Sequence, residues 1–107
     1  MNEGAAVSIG IGYYLSSNKI PIIYMQNSGL SNALNPLISI AHKKVYSVPL
    51  ILVIGWRGSP QIKDEPQHNV KGQITEQILK LLNIKGFSGI SYFRSQKKRA
   101  SKRGLFL

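Results

Sequence analysis

The chain has 107 residues, which is enough for one small domain. It contains no cysteine, so disulfides, thiolate nucleophiles and cysteine-based zinc sites are excluded, and two isolated histidines do not make a metal site. The lack of cysteine fits a reducing compartment, and we expect a cytoplasmic protein. The longest apolar run, residues 48–56, is far shorter than the roughly 18 residues of a membrane span, so no membrane association is predicted.

The net charge of +10 is unevenly distributed along the chain. Residues 86–107 carry six Lys or Arg and no acid, whereas residues 1–85 carry eight basic and four acidic side chains. This concentration of like charge predicts a folded domain over 1–85 and a disordered basic tail over 86–107. The tail also permits a nucleic-acid-binding interpretation, but Tyr92 and Phe93 beside its charges are a poor set for base stacking, so no specific nucleic acid is expected.

The first half of the chain is predicted to form a helix, a strand and a second helix. Residues 4–16 repeat apolar side chains on one helical face, and Asn2 is a suitable N-cap. Residues 20–25 are a continuous apolar, β-branched run, which indicates a buried strand. Residues 30–41 keep a helical apolar spacing across Pro36, which predicts a kinked helix. The apolar positions of the first helix are Val7, Ile11, Tyr14 and Leu15.

The second half repeats this alternation. Residues 49–54 predict a second buried strand, and the glycine and prolines of residues 57–69 predict a loop. Residues 70–82 predict a third helix, and residues 87–93 a weak strand. The apolar positions of the third helix are Val70, Ile74, Ile78, Leu81 and Leu82. Helices that alternate with continuous apolar strands are typical of an α/β fold with parallel pairing.

In such a sheet, ligands bind beyond the carboxyl ends of the strands. The segments that leave those ends are Gln26–Gly29 and Gly55–Gly58, and both are polar and glycine-bearing. Glu3 opens the first helix, where an acid commonly only stabilises the helix terminus, but it can also face the same crevice. Residues 64–68 form a polar cluster that is either a solvated turn or a centre for acid–base chemistry. Trp56, at a strand end, is more typical of packing than of ligand binding.

Five segments, taken in order, resemble the phosphonopyruvate decarboxylase family of thiamine diphosphate-dependent enzymes, which is related to the alpha subunit of sulfopyruvate decarboxylase. The resemblance covers residues 2–84. The segments that carry it are Asn2-Glu3-Gly4-Ala5-Ala6, Tyr24-Met25-Gln26-Asn27-Ser28-Gly29-Leu30, Asn32-Ala33-Leu34-Asn35-Pro36-Leu37, Gly55-Trp56-Arg57-Gly58 and Asp64-Glu65-Pro66-Gln67-His68.

The resemblance implies an incomplete three-layer α/β/α domain that binds the pyrimidine ring of thiamine diphosphate. It implies that Glu3 is catalytic and hydrogen-bonds the aminopyrimidine, and that Gln26, Asn27, Ser28 and Gly29 also line the cofactor. Gln67 and His68 fall where related decarboxylases handle substrate and protons, so His68 is the second expected catalytic residue. The implied reaction converts phosphonopyruvate to phosphonoacetaldehyde and CO2.

The resemblance also implies a partner. The family holds Mg²⁺ and the cofactor's diphosphate with a Gly-Asp-Gly…Asn motif, which these 107 residues lack, as they lack any other phosphate-loop motif. We therefore expect the chain to act with a diphosphate-binding domain or subunit in an oligomer, and to contain no metal ligands itself. The alternatives are a truncated or frameshifted fragment without activity and a subunit of the sulfopyruvate decarboxylase alpha type.

Overall fold

A computed structural model describes residues 2–60, 62–87 and 103–106. In this part of the chain a 3₁₀ turn, Asn27–Gly29, leads into the second helix, and a π-helical turn, Leu37–Ala41, continues it. The regular elements are α1 (Glu3–Ser17), β1 (Ile22–Gln26), α2 (Leu30–Pro36), β2 (Ile51–Gly55), α3 (Pro66–Leu81), β3 (Gly86–Phe87) and β4 (Arg103–Phe106).

The two long apolar runs form the parallel pair that the sequence predicts. β1 and β2 lie side by side with Ile22 opposite Ile51 and Gln26 opposite Gly55, so both strands end at the same edge of the sheet. The predicted α/β class with parallel strands is therefore confirmed. The register also brings the two polar strand exits together, which positions the candidate site.

One face of the sheet carries the core. The inward residues of β1 and β2 are buried and pack in one cluster with side chains from all three helices. On the opposite face Ile22 and Tyr24 of β1 are 69% and 63% exposed. The described residues thus form two layers, helices over sheet, which is the incomplete form of the expected three-layer domain. The core side chains include Val7, Ile11, Ile23, Met25, Leu30, Leu52, Ile54 and Leu79.

Helix α1 begins and ends as its sequence predicts. The Ala5 backbone N–H donates to the Asn2 side chain at 2.8 Å, which confirms the predicted N-cap. Val7 and Ile11 are buried, but Leu15 is 62% exposed, so its predicted place in the core is wrong. The side of α1 that meets β1 is centred between Gly10 and Ile11, and Leu15 lies beyond the edge of that arc.

The second helix passes through Pro36, as predicted. Pro36 is the last residue of α2, and the following turn widens to π geometry over Leu37–Ala41 instead of stopping. A proline inside a helix lacks an N–H and crowds the preceding turn, so an irregularity in the helix at this point is expected.

The third helix differs from its prediction in start and in orientation. It begins at Pro66, so the last residues of the predicted loop are its first turn. Proline is favoured at this position because its missing N–H has no helical partner there. The predicted core residues Val70, Ile74 and Leu81 are exposed, and the buried face instead carries Gly72, Thr75 and Leu79. Ile78 and Leu82, as predicted, pack against the core.

The C-terminal region differs from the predicted disordered tail at two short segments. Arg103–Phe106 forms β4, which pairs antiparallel with β2 on one side and with β3 on the other. Pairing satisfies the free backbone groups at the edge of β2, and this gain does not depend on side-chain charge. The rest of the predicted tail and weak strand, residues 88–102 and 107, lies outside the described residues.

Candidate functional site

The candidate site lies at the carboxyl ends of β1 and β2. Three parts of the chain meet there besides the strands: the first turn of α1, the first turn of α2 and the N-terminal half of α3. Parallel strands leave their exits at one edge, and the helices that follow them begin at that edge. The structure therefore brings together all five segments whose sequence carries the resemblance.

Glu3 lies at the centre of this arrangement. The Asn32 side-chain N–H donates to Glu3 Oε2 at 3.0 Å, which ties the start of α1 to the start of α2. This hydrogen bond, more than any other contact, holds the pKa of the Glu3 carboxyl below its ordinary value, and the positive charge of Lys71 contributes in the same direction. Glu3 is partly exposed, so its carboxylate is charged and accessible.

Two glycines allow this close approach of α1 and α2. A side-chain carbon added at Gly4 would lie 2.5 Å from the Asn32 carbonyl oxygen. One added at Gly29 would overlap the Glu3 carboxyl group itself. Each helix start therefore carries a glycine that faces the other helix's polar residue, and the Glu3 carboxylate rests directly on Gly29.

The β1 exit presents two further polar side chains. Ser28 Oγ donates to Gln26 Oε1 at 2.5 Å, and this pair lies at the surface beside Gly29. Lys71, from the second turn of α3, donates from Nζ to the Ser28 carbonyl oxygen at 3.3 Å. The sequence analysis predicts no role for Lys71. Its spacing could have indicated one, because His68, Lys71 and Thr75 lie on one face of α3, the helix that begins at the candidate site.

Asn27 is turned into the protein. Its side-chain Nδ2 donates to the Arg57 carbonyl oxygen at 2.9 Å and to Thr75 Oγ1 at 3.0 Å, and its Oδ1 accepts from the Arg57 N–H at 3.0 Å. Both side-chain donors are thus used by the protein, and the residue is only 4% exposed. The Asn27 side chain joins the two strand exits and α3. A cofactor contact through Asn27, which stays a prediction, would have to use its backbone.

Arg57 and Asp64 form a bidentate ion pair, with two N–H to carboxylate contacts of 2.7 Å. The Asp64 carboxylate also accepts from the Gly58 and Glu65 backbone N–H groups at 3.0 and 2.9 Å. The Arg57 guanidinium, followed by the backbone donors, holds the pKa of Asp64 well below its usual range. The charge of Arg57 is therefore matched within the protein.

Trp56 is a packing residue, as its position at a strand end suggested. It is buried, and its indole N–H donates to the Gly72 carbonyl oxygen at 3.0 Å. Gly58 has a φ of 65°, and side-chain carbons added at Gly58 or Gly72 would overlap the backbone of the facing segment. The β2 exit and α3 therefore meet backbone to backbone.

Gln67 and His68 lie in the first turn of α3, not in the loop that the sequence predicted. Gln67 is exposed and His68 is half-buried. The Gly58 turn packs against the His68 backbone, so the β2 exit fixes the position of this helix start. Among the described residues, no hydrogen bond or ion pair links either side chain to Glu3. Their expected roles with substrate stay predictions.

Metal ligands are not concentrated at this edge. In the described part of the chain, no group of three or more His, Cys, Asp or Glu side chains is arranged to hold a metal ion. A cavity of about 450 Å³ lies at the opposite end of the strands and is lined by none of the predicted site residues. Within the same described ranges, no helix is both long and apolar enough to cross a membrane.

Comparison with known proteins defines the class. Residues 1–80 match the family described as "Thiamine pyrophosphate enzyme, N-terminal TPP binding domain". The chain belongs to this family, and the resemblance read from its motifs is confirmed. No solved structure matches the chain.

Individual relatives narrow the comparison. The chain is 39% identical over 82 residues to "Phosphonopyruvate decarboxylase" of Streptomyces viridochromogenes, a match that covers 77% of this chain and 20% of the relative. It is 35% identical over 86 residues to "Sulfopyruvate decarboxylase subunit alpha" of Methanococcus maripaludis, covering 80% of this chain and 49% of the relative. The chain thus spans about a fifth of the length of the first relative and about half that of the second.

Proposed function

We propose that this chain is the pyrimidine-binding part of a thiamine diphosphate-dependent 2-keto acid decarboxylase that converts phosphonopyruvate to phosphonoacetaldehyde and CO2. The observation that carries the proposal is the Glu3 carboxylate, which is charged, partly exposed and fixed at the carboxyl edge of a parallel sheet. A fixed carboxylate at this place suits a pyrimidine ring nitrogen, because it can hold that nitrogen through a shared proton and stabilise positive charge there.

The residues present fit the pyrimidine end of the cofactor. Thiamine diphosphate supplies, when bound, the electron sink into which a 2-keto acid loses CO2. Glu3 Oε2 accepts from Asn32, and a carboxylate has further acceptor capacity for an aminopyrimidine. We propose that the neighbouring Gln26–Gly29 segment lines the same ring. Gln67 and His68, at the start of α3, would face substrate.

The diphosphate end has no matching residues in the described part of the chain. No metal-ligand cluster is present there. We therefore propose that a separate diphosphate-binding domain or subunit supplies Mg²⁺ and the diphosphate contacts, in an oligomer that acts in the cytoplasm. The name of the Methanococcus relative, a subunit alpha, supports a divided enzyme.

A sulfopyruvate decarboxylase of divided type is the second candidate. The chain covers about half of the alpha subunits that it matches, against a fifth of the phosphonopyruvate decarboxylases. Both candidates share the Glu3 site and the 2-keto acid. They differ in the acid group at the far end of the substrate, phosphonate or sulfonate.

The pyrimidine site can be tested on the chain alone. We expect 4-amino-5-hydroxymethyl-2-methylpyrimidine, the pyrimidine half of thiamine, to shift the amide NMR signals of Glu3 and Gly29 at millimolar concentration. Glu3→Gln should abolish these shifts because the amide cannot carry the charge. Glu76→Gln, which removes an exposed acid from α3, is the matched control and should leave them unchanged. Shifts that persist in Glu3→Gln would contradict the proposal.

Substrate choice needs the completed enzyme. The chain should be combined with the diphosphate-binding region of a phosphonopyruvate decarboxylase, and CO2 release measured from phosphonopyruvate and sulfopyruvate side by side. Release from phosphonopyruvate that depends on Glu3 favours the first candidate, and faster release from sulfopyruvate favours the second. Pyrimidine binding without release from either substrate would indicate an inactive fragment.

A further inference from the structure

We propose that Gly29 and Asn32 form a seat for the Glu3 carboxylate and act as positioning residues for it. Gly29 leaves the space in which the carboxyl group rests, and Asn32 fixes one of its two oxygens. The role of this seat in catalysis rests on the proposed function. The orientation of the Glu3 side chain itself can be tested without cofactor or substrate.

Gly29 is needed here for space and not for backbone freedom. Its φ and ψ are −87° and −7°, which an alanine adopts without strain. A side-chain carbon at this position would overlap Cγ, Cδ and Oε1 of Glu3, all of which belong to a flexible side chain. An alanine at position 29 is therefore accommodated by displacing the carboxyl group. We expect Gly29→Ala to retain the fold but to displace the Glu3 carboxyl group.

Asn32 holds the other side of the carboxyl group. Its Nδ2 donates to Oε2 at 3.0 Å, while its backbone carbonyl packs against Gly4. Asn32 itself is exposed, so its side chain contributes little to the core. With Oε2 taken by Asn32, Oε1 above Gly29 is the oxygen left for a ligand. Among the described residues, no other side chain hydrogen-bonds this carboxylate.

The surroundings of the seat favour the ionised carboxyl group. The Asn32 hydrogen bond is the largest cause of the lowered pKa of Glu3, and the Glu3 backbone N–H and the positive charge of Lys71 on α3 act in the same direction. Loss of the Asn32 hydrogen bond therefore leaves Lys71 in place and removes the principal cause of the lowered pKa.

The test compares two seat variants with two matched controls by carboxyl NMR titration of the full chain. The chain has only three glutamates, Glu3, Glu65 and Glu76, so selective labelling resolves the Glu3 signal. Gly29→Ala and Asn32→Ala should each raise the pKa of Glu3. The control Gly12→Ala adds a methyl group where nothing lies within 4 Å, and the control Asn35→Ala removes an exposed amide from the same helix as Asn32. Neither control should move the Glu3 pKa.

A third variant separates positioning from general damage. Asn32→Asp places a carboxylate where the donor was, so the pKa of Glu3 should rise further than in Asn32→Ala. A merely structural role would not produce the order wild type, Ala, Asp. Thermal unfolding of each variant checks that the fold is retained. A Glu3 pKa that stays at the wild-type value in Asn32→Ala and Asn32→Asp would overturn the role of Asn32, and one that stays there in Gly29→Ala would overturn the role of Gly29.

The pyrimidine probe distinguishes failure of the seat from failure of the proposed function. If wild type binds the probe, the seat variants should weaken binding by about tenfold, the effect of one charge-assisted hydrogen bond. If wild type does not bind it but the Glu3 pKa rises in both seat variants, the seat stands and the proposed function falls. If the probe binds equally to wild type and both seat variants and the Glu3 pKa is the same in all three, the seat is wrong and the function stands.

Discussion

At the residue scale, the Asn27 side chain makes the pair of backbone hydrogen bonds that a neighbouring strand would make. Its amide group exchanges two hydrogen bonds with the backbone of Arg57, at 2.9 and 3.0 Å, just beyond the last paired residue of β2. The contact continues the β1–β2 ladder past its end. The Arg57 side chain donates to the Asp64 carboxylate, which also accepts from the Gly58 N–H. The β2 exit is thus hydrogen-bonded to Asn27 on one side and to Asp64 on the other.

The lowered pKa of Asp64 makes this loop sensitive to acid. A carboxyl group whose pKa is depressed in the folded protein stabilises it above the unfolded-state pKa, about 4, and this contribution is lost as the pH falls towards the folded-state value. Asp64→Asn should therefore lower the thermal unfolding midpoint at pH 6. Its difference from wild type should shrink steadily below pH 4.

Thermal unfolding between pH 6 and pH 2 measures this effect. Glu65→Gln is the matched control, because it neutralises the adjacent acid, which is exposed. The control should follow the wild-type profile. A gap between Asp64→Asn and wild type that stayed constant over the whole range would show that Asp64 stabilises the loop through packing and not through its charge.

At the scale of elements, backbone contact decides how α3 lies. Gly72 faces the carbonyl group of Gly58, and a side-chain carbon there would overlap backbone that cannot move aside cheaply. Gly72→Ala should destabilise the protein by about 1–3 kcal/mol, despite the higher helix propensity of alanine.

Chemical denaturation measures this cost. Gly12→Ala is the matched control in α1, where the added methyl group meets open space and should stabilise the helix by up to about 1 kcal/mol. A Gly72→Ala variant as stable as wild type would mean that α3 does not approach the β2 exit as closely as the structure shows.

The same contact explains why the sequence predicted the existence of α3 but not its orientation. Hydrophobic spacing favoured a face with Val70, Ile74 and Leu81, and all three are exposed. The buried face is chosen by Gly72, which has no side chain, and by Thr75, which bonds Asn27. Neither residue contributes to an apolar pattern. Spacing therefore predicts helices well, whereas glycine contacts and buried polar pairs show themselves only in the folded chain.

The position of the candidate site was predictable where the motif and the topology agree. The Gln26–Gly29 segment follows from strand exits that share one edge, and the parallel register confirms that edge. Glu3 was assigned to the site by the resemblance, and its role stays a prediction. Asn32, the partner of Glu3, lies in one of the resembling segments, but the sequence predicts no role for it, because its contact depends on how closely α1 approaches α2. The inward turn of Asn27 depends on a segment 30 residues away, which local sequence does not reveal.

At the scale of the whole molecule, the described residues provide one end of a cofactor site and one face of a sheet. We predict that the isolated chain binds thiamine diphosphate no more tightly with Mg²⁺ than without it, because the described part of the chain has no cluster of metal ligands. Isothermal titration with the chain alone, in the presence and absence of Mg²⁺, measures this. Micromolar binding that required Mg²⁺ would contradict the prediction and remove the need for a separate diphosphate-binding partner.

The hydrogen bonds of Asn27 also have a kinetic consequence. Proteins open in cooperative units, and exposed loops usually open first. Here a single buried amide group is shared by the β1 exit, the β2 exit and α3, so none of the three can fluctuate open without breaking bonds to the others. We therefore expect the turn that carries the predicted cofactor contacts to open together with the folding unit that contains β2. This edge of the sheet should therefore be ordered by its contacts with the core before any ligand binds.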